Sequence, residues 1–234
     1  MLRGNINMKL QDIGNKLHRD GIFTGGPPQY FESAGRLQLS TLIREGLYPD
    51  SKVLDVGCGC LRAGYWLTRL LDPGCYFGIE PFEKMLYAGI EFCLTPEVRA
   101  QKRPHFDNND RFDFSVFGIK FDVVLARSIW SHASKSQIEA MLDGFVEHTT
   151  PDAFFLTSYL PAVWFKRWQR DYSGNQWVGK SHERDQAGQI HHSLKWIEVA
   201  CRKRGLSVKQ LPDEPFNGQY WLKITKNRAL RDSV

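Results

Sequence analysis

The run VLDVGCGC at residues 53–60 limits the possible folds more than any other stretch of the chain. Val53, Leu54 and Val56 favour an extended strand. Gly57 and Gly59 then break it, because a backbone without Cβ turns tightly and lets a ligand come close. Asp55 puts a carboxylate two residues before the first of these glycines. A metal site, a phosphate loop, a cofactor turn and a plain bend would all use such a segment. Zinc is disfavoured, because Cys58 and Cys60 have no second Cys or His pair at finger-like spacing. Five cysteines without a CxxC pair read as reduced thiols.

The rest of the chain alternates. The opening strand spans residues 52–56, and Tyr65, Trp66, Leu67, Leu70 and Leu71 suggest a helix after the glycines. Residues 75–79 form the next strand, followed by a helix through Met85, Leu86 and Phe92. A short strand is expected at 104–107, and a strong one at 121–126 (FDVVLA). The helix after it carries Ile138, Met141, Leu142, Phe145 and Val146 at helical spacing. Ser136 and Glu139 are its expected capping box. Residues 153–159 are a further strand, Ser193 caps a helix ending at Gly205, and 207–211 with 219–226 (QYWLKITK) read as a closing hairpin. Upstream, Ile6, Leu10, Ile13 and Leu17 predict an amphipathic helix over 6–18, and a second helix covers 30–45. Such alternation implies an α/β fold, a mostly parallel sheet covered on both faces, with ligands at the carboxyl ends of its strands near the switch point. At 234 residues this is one domain.

Two features narrow the ligand. A pyrophosphate loop would not want the carboxylate of Asp55, whereas a ligand with a positive charge would. Glu80 ends the next strand in YFGIEP, where an acid can hold ribose hydroxyls. On these residues the sequence resembles the class I S-adenosylmethionine-dependent methyltransferases, of the bacterial type that acts on small molecules such as glycans or secondary metabolites. VLDVGCGC looks like their first motif, FDVVLARSIWSH (121–132) like their fourth strand and following loop, and QYWLKITK like their antiparallel last strand. The resemblance covers roughly residues 36–226 and is poor for 161–192. It implies a Rossmann-like, doubly wound sheet of seven strands and S-adenosylmethionine as cofactor. It implies that Asp55, Gly57, Cys58 and Gly59 line the methionine end, and that Glu80, beside Pro81, chelates the ribose. Asp110, with Arg111 beside it, then meets the adenine; Asp113 is the alternative match. Arg127 joins the cofactor set; it is otherwise a clamp for an anionic substrate group, or an ion-pair partner of Asp55 or another acid. A nicotinamide-cofactor oxidoreductase is disfavoured, because the third glycine of that fingerprint falls on Arg62. Arg62 itself is a candidate for the cofactor carboxylate or a solvated helix residue.

Methyl transfer is an in-line displacement, so the enzyme mainly aligns the acceptor, and a hydroxyl acceptor also needs a base. His132 is the candidate catalytic base, on the loop after the fourth strand with Ser128 and Trp130. The segment 161–192 (WFKRWQRDY, later NQW) reads as a substrate lid able to stack bases or sugars. Its His182, His191 and His192, with Glu183 and Asp185, read as a solvated loop rather than a metal site. Residues 1–30 form a helix and Gly-Gly-Pro-Pro hinge, a lid or cap on the methyltransferase domain at 31–234. Lys and Arg number 31 against 26 Asp and Glu, a formal net charge of +5. That permits nucleic acid but does not favour it. The expected acceptor is a small molecule taking the methyl on oxygen, or else on nitrogen. The alternatives are an RNA or protein methyltransferase and a binding module without catalysis. No apolar stretch spans a bilayer and no secretion leader is evident, so the expected setting is a bacterial cytoplasm, without membrane insertion, as monomer or homodimer.

Overall fold

The computed structural model of the protein describes residues 8–23, 25–163, 170–174, 176–178, 188–213 and 215–227. Seven strands form one sheet in the order β3-β2-β1-β4-β5-β7-β6. They are β1 (Val53–Val56), β2 (Tyr76–Ile79), β3 (His105–Asp107), β4 (Phe121–Ala126), β5 (Thr149–Tyr159), β6 (Leu206–Gln210) and β7 (Tyr220–Lys226). β1, β2 and β3 are parallel, as are β4 and β5, while β7 runs antiparallel to both of its neighbours. The expected doubly wound α/β sheet with an antiparallel last strand is therefore the observed fold. Both β1 and β2 are buried along their whole length. That burial is why their sequences show no polar–apolar alternation; the one charged residue in them, Asp55 of β1, is itself buried.

Two compact units divide the chain, Met1–Asp110 and Arg111–Val234. The first contains α1 (Leu10–Arg19), α2 (Phe31–Glu45), α3 (Gly64–Leu70), α4 (Glu83–Cys93) and α5 (Pro96–Lys102) with β1 to β3. α1 buries Leu10, Ile13 and Leu17. It approaches Phe31 so closely that a Cβ on Gly14 would lie 2.3 Å from the Phe31 Cβ. Gln11 staples the hinge, donating to Pro28 O at 2.6 Å and accepting from the Glu32 amide at 3.2 Å. α2 stops where expected, at Gly46 with φ 114°. The second unit contains α6 (Lys135–His148) and α7 (Leu194–Arg202) with β4 to β7. Trp130, Phe145 and Phe155 form its aromatic core, with Trp130 edge-on to Phe155 at 5.8 Å.

Several expectations need correction. The capping box of α6 is Ser134 with Gln137, both reciprocal bonds being present, and not Ser136 with Glu139. Ser136 instead bonds the Ser134 hydroxyl. α5 was not expected; Thr95 caps it and Pro96 opens it. β5 begins at Thr149 rather than Ala153, and α7 ends at Arg202, with no side-chain cap bond from Ser193. His192 is not a solvated loop residue but fully buried, with Nε2 on the Ala133 carbonyl at 2.9 Å. His182, Glu183, Asp185 and residues 164–169 of the aromatic stretch lie outside the described residues.

Candidate functional site

The first unit gathers its polar residues at the carboxyl ends of β1, β2 and β3. Strand register sets this: Asp55 stands opposite Gly78, and Ile79 opposite Asp107, so Glu80 and Asp107 leave neighbouring strands at one level. Beyond Val56 the chain turns with Gly57 at φ 70°, Gly59 at φ 56° and Leu61 at φ 59°. The amides of Gly57 and Cys58 both bond Ile79 O, which pins the turn to β2. A Cβ on Gly59 would meet the Met85 thioether at 3.3 Å and Gly57 O at 4.0 Å, so the turn is a shallow cradle rather than a packed corner. α3 starts only at Gly64, so the groups facing the cradle come from the turn itself.

Glu80 is the hub of this end. One carboxylate oxygen accepts the Gly59 amide and the other the Phe82 amide, each at 3.0 Å. A carboxylate has about four acceptor positions, so each oxygen keeps one for a further donor. Burial pushes Glu80 above the usual carboxylate range, and the two amides pull against that. Pro81 follows it on the surface. Asn108 donates to Glu80 O at 2.8 Å, and the Glu80 amide donates to Asp107 O.

Asp55 is buried and takes a 2.8 Å hydrogen bond from the Tyr76 hydroxyl. Desolvation drives its pKa up to about 7; the Tyr76 bond lowers it, Glu80 adds to the rise and Arg62 opposes it. Arg62 is no solvated helix residue. Its guanidinium donates to Gly25 O at 3.3 Å, lies over the Phe23 ring at 5.6 Å, and is pushed down to about 10 by burial. Cys58 is buried, and desolvation raises its thiol far above the ordinary value. Asp110 is exposed at the end of this unit and Arg111 is exposed at the start of the next. Asp113 is held low chiefly by the Ser115 hydroxyl and amide.

In the second unit the loop after β4 carries Arg127, Ser128, Trp130 and His132. Ser128 adopts φ 63°, a costly conformation for a residue with a side chain. A polar ring holds it there: its amide donates to Ser158, Ser158 donates to Gln219, and Gln219 donates back to Ser128. Arg127 joins the ring through Gln219 and Phe216 O, with its guanidinium 4.8 Å from the Trp221 ring. Trp130 is core. His132 sits with Nδ1 2.5 Å from Gly188 O, and burial pulls its pKa below the ordinary histidine value. The Trp177 ring, 40% exposed, lies 5.8 Å from the imidazole, and Phe112 lies 6.5 Å from Trp177.

Each sequence-predicted cofactor residue from Asp55 to Pro81 thus falls at one end of one three-strand unit. Sequence reasoning missed Tyr76, Asp107, Asn108 and Gly188. The DNND run at residues 107–110, which opens on the last residue of β3, was the available signal for Asp107 and Asn108. Nothing in the sequence marked Tyr76 or Gly188.

No family model matches the sequence. Solved structures match the fold closely. A magnesium protoporphyrin IX methyltransferase (ChlM) from Synechocystis PCC 6803, with bound SAM, aligns at TM-score 0.62 and 17% identity, over 95% of this chain and 100% of that one. A DhpI–SAH complex aligns at TM-score 0.61 and 15% identity, over 94% and 98%. The glycopeptide N-methyltransferase MtfA, complexed with (S)-adenosyl-L-methionine, aligns at TM-score 0.58 and 14% identity, over 82% and 94%. The chain therefore has the fold of these methyltransferases at nearly full length.

Proposed function

We propose that the chain is a methyltransferase that uses S-adenosylmethionine and transfers its methyl group to an oxygen of a small polar acceptor. The observation that carries this reading is the Asp55–Gly57–Gly59–Glu80 end of the sheet. It pairs an open glycine cradle with a buried carboxylate that still has two acceptor positions. Those positions fit the two hydroxyls of a ribose. Asp55, held near neutrality by burial, gains a partner when a positively charged group arrives. The residues present fit the cofactor, and three neighbours of the same fold hold SAM or SAH.

When bound, the cofactor supplies an electrophilic methyl on a sulfonium. The chain's own residues would do the rest. Glu80 would hold the ribose, the Gly57–Gly59 turn would seat the methionine part, and Asp55 would balance its positive charge. Asp110 and Arg111 remain the proposed adenine contacts, and Arg127 is proposed to complete the polar ring that shapes the loop bearing the base. His132 would accept the acceptor's proton. Trp177 supports a ring-bearing acceptor, since an exposed indole beside the candidate base offers a face on which a sugar or aromatic ring stacks. MtfA is a nitrogen methyltransferase, so nitrogen is the second choice. We assign residues 161–192 to a substrate lid and residues 1–30 to a lid or cap over the cofactor.

Calorimetric titration with S-adenosylhomocysteine, with NAD in parallel, tests the reading. Binding of the first and not the second is the expected result. Binding of NAD alone would overturn it.

A further inference from the structure

We propose that the segment after β5 positions His132: the Gly188 carbonyl fixes the imidazole as its Nδ1–H tautomer and leaves Nε2 as the proton-accepting atom. What Nε2 then does rests on the methyl-transfer reading above; the tautomer itself does not.

The loop after β4 is gripped along three consecutive residues. Ser131 O accepts from the Ile190 amide at 2.9 Å, and His132 O accepts from the Val178 amide at 3.0 Å. Ala133 O receives Nε2 of the buried His192 at 2.9 Å. All three donors come from the segment between β5 and α7. Into this grip the His132 ring places Nδ1 against Gly188 O. A carbonyl only accepts, so Nδ1 must carry the hydrogen, and the neutral ring's lone pair is left on Nε2. Among the described residues Nε2 has no hydrogen-bond partner. Water alone favours the opposite tautomer, so the preference must come from the protein.

The approach is specific to glycine at this position. A Cβ on Gly188 would lie 1.8 Å from Val178 O. Only a residue without a side chain lets the two strips of backbone, around 178 and around 188, close on His132 from both sides. Trp177 stands at 51° to the imidazole plane and limits its rotation. Burial lowers the ring's pKa, so it is neutral and available near neutrality. Gly188 is thus a positioning residue, acting on the acceptor's proton only through His132.

The test is two-bond proton–nitrogen correlation NMR of the full chain labelled with 15N-histidine, with His132→Gln used to assign the ring. The expected spectrum has a protonated Nδ1 and an unprotonated Nε2 above the ring's pKa. A protonated Nε2, or a ring exchanging between tautomers, would overturn the proposal. Gly188→Ala, checked for folding by circular dichroism, is expected to mix the tautomers. It should lower kcat on the order of 10²-fold with the KM for cofactor unchanged, the scale of a misplaced catalytic group. A pure Nδ1–H tautomer in that variant would remove Gly188 from the role. Calorimetry separates the two readings: no binding of S-adenosylhomocysteine alongside a fixed Nδ1–H tautomer sinks methyl transfer and leaves the positioning intact.

Discussion

Asp55 couples burial to ligand charge. Its folded pKa, about 7, is raised by desolvation above the unfolded carboxylate value. The folded chain therefore holds that proton more tightly than the unfolded chain does. The associated stability is fully present below the unfolded pKa and is lost as pH rises through about 7. Asp55→Asn keeps the shape and removes the buried charge. In urea melts at pH 8 it should gain on the order of 2 kcal/mol, while calorimetry shows weaker cofactor binding. In the parent protein a positively charged cofactor should expel the Asp55 proton. S-adenosylmethionine should then bind about tenfold more tightly at pH 8 than at pH 6. Calorimetry in buffers of different ionisation enthalpy would read the released proton directly. His132 gives a second expectation at this scale. Its pKa is lowered by burial, so kcat at saturating cofactor should be flat through neutrality and fall only at a pH below the ordinary histidine value. His132→Asn should cost on the order of 10²–10⁴ in kcat with any hydroxyl acceptor. A variant that kept full kcat would show that no base is needed.

Among the elements, what could be read in the sequence was whatever has a period or a run. β1, β2 and β4 announced themselves as apolar, β-branched or aromatic runs interrupted by no more than one acid each, Asp55 and Asp122, and the cradle was visible because glycine at two near-adjacent positions has few other uses. α5 was invisible to periodicity since none of its residues is buried; only Thr95-Pro96 marked it, as cap and first residue. At α6 two overlapping Ser-x-x-Glu/Gln patterns competed, and the backbone direction at residue 134 decided between them. Ser134→Ala should cost about 1 kcal/mol in thermal melts, and Ser136→Ala distinctly less. The grip on residues 131–133 could not be read at all, since it is made mostly of backbone amides and carbonyls that any sequence possesses. α4 lies so close to the cradle that a Cβ on Gly89 would sit 2.6 Å from the Cys60 carbonyl carbon. Gly89→Ala should therefore destabilise by ~1–3 kcal/mol and also weaken S-adenosylhomocysteine binding, because the helix would push on the turn that receives it.

On the scale of the whole molecule, a ligand that binds only the folded chain raises its stability by mass action. S-adenosylhomocysteine at a hundred times its Kd should add ~2.7 kcal/mol, which for a chain of this length is about 5–10 °C in Tm. NAD at the same concentration should leave Tm where it was. The sheet order has a further consequence during synthesis. The ribosome delivers β1, β2 and β3 before β4 exists. β1, flanked by β4 in the finished sheet, leaves the tunnel with one edge bare, and keeps it so until Phe121–Ala126 has emerged. An apolar strand with an unpaired edge is a template for pairing with another chain. The nascent first half of this protein is therefore a natural client for chaperones, and slow translation between residues 110 and 126 would lengthen its exposure.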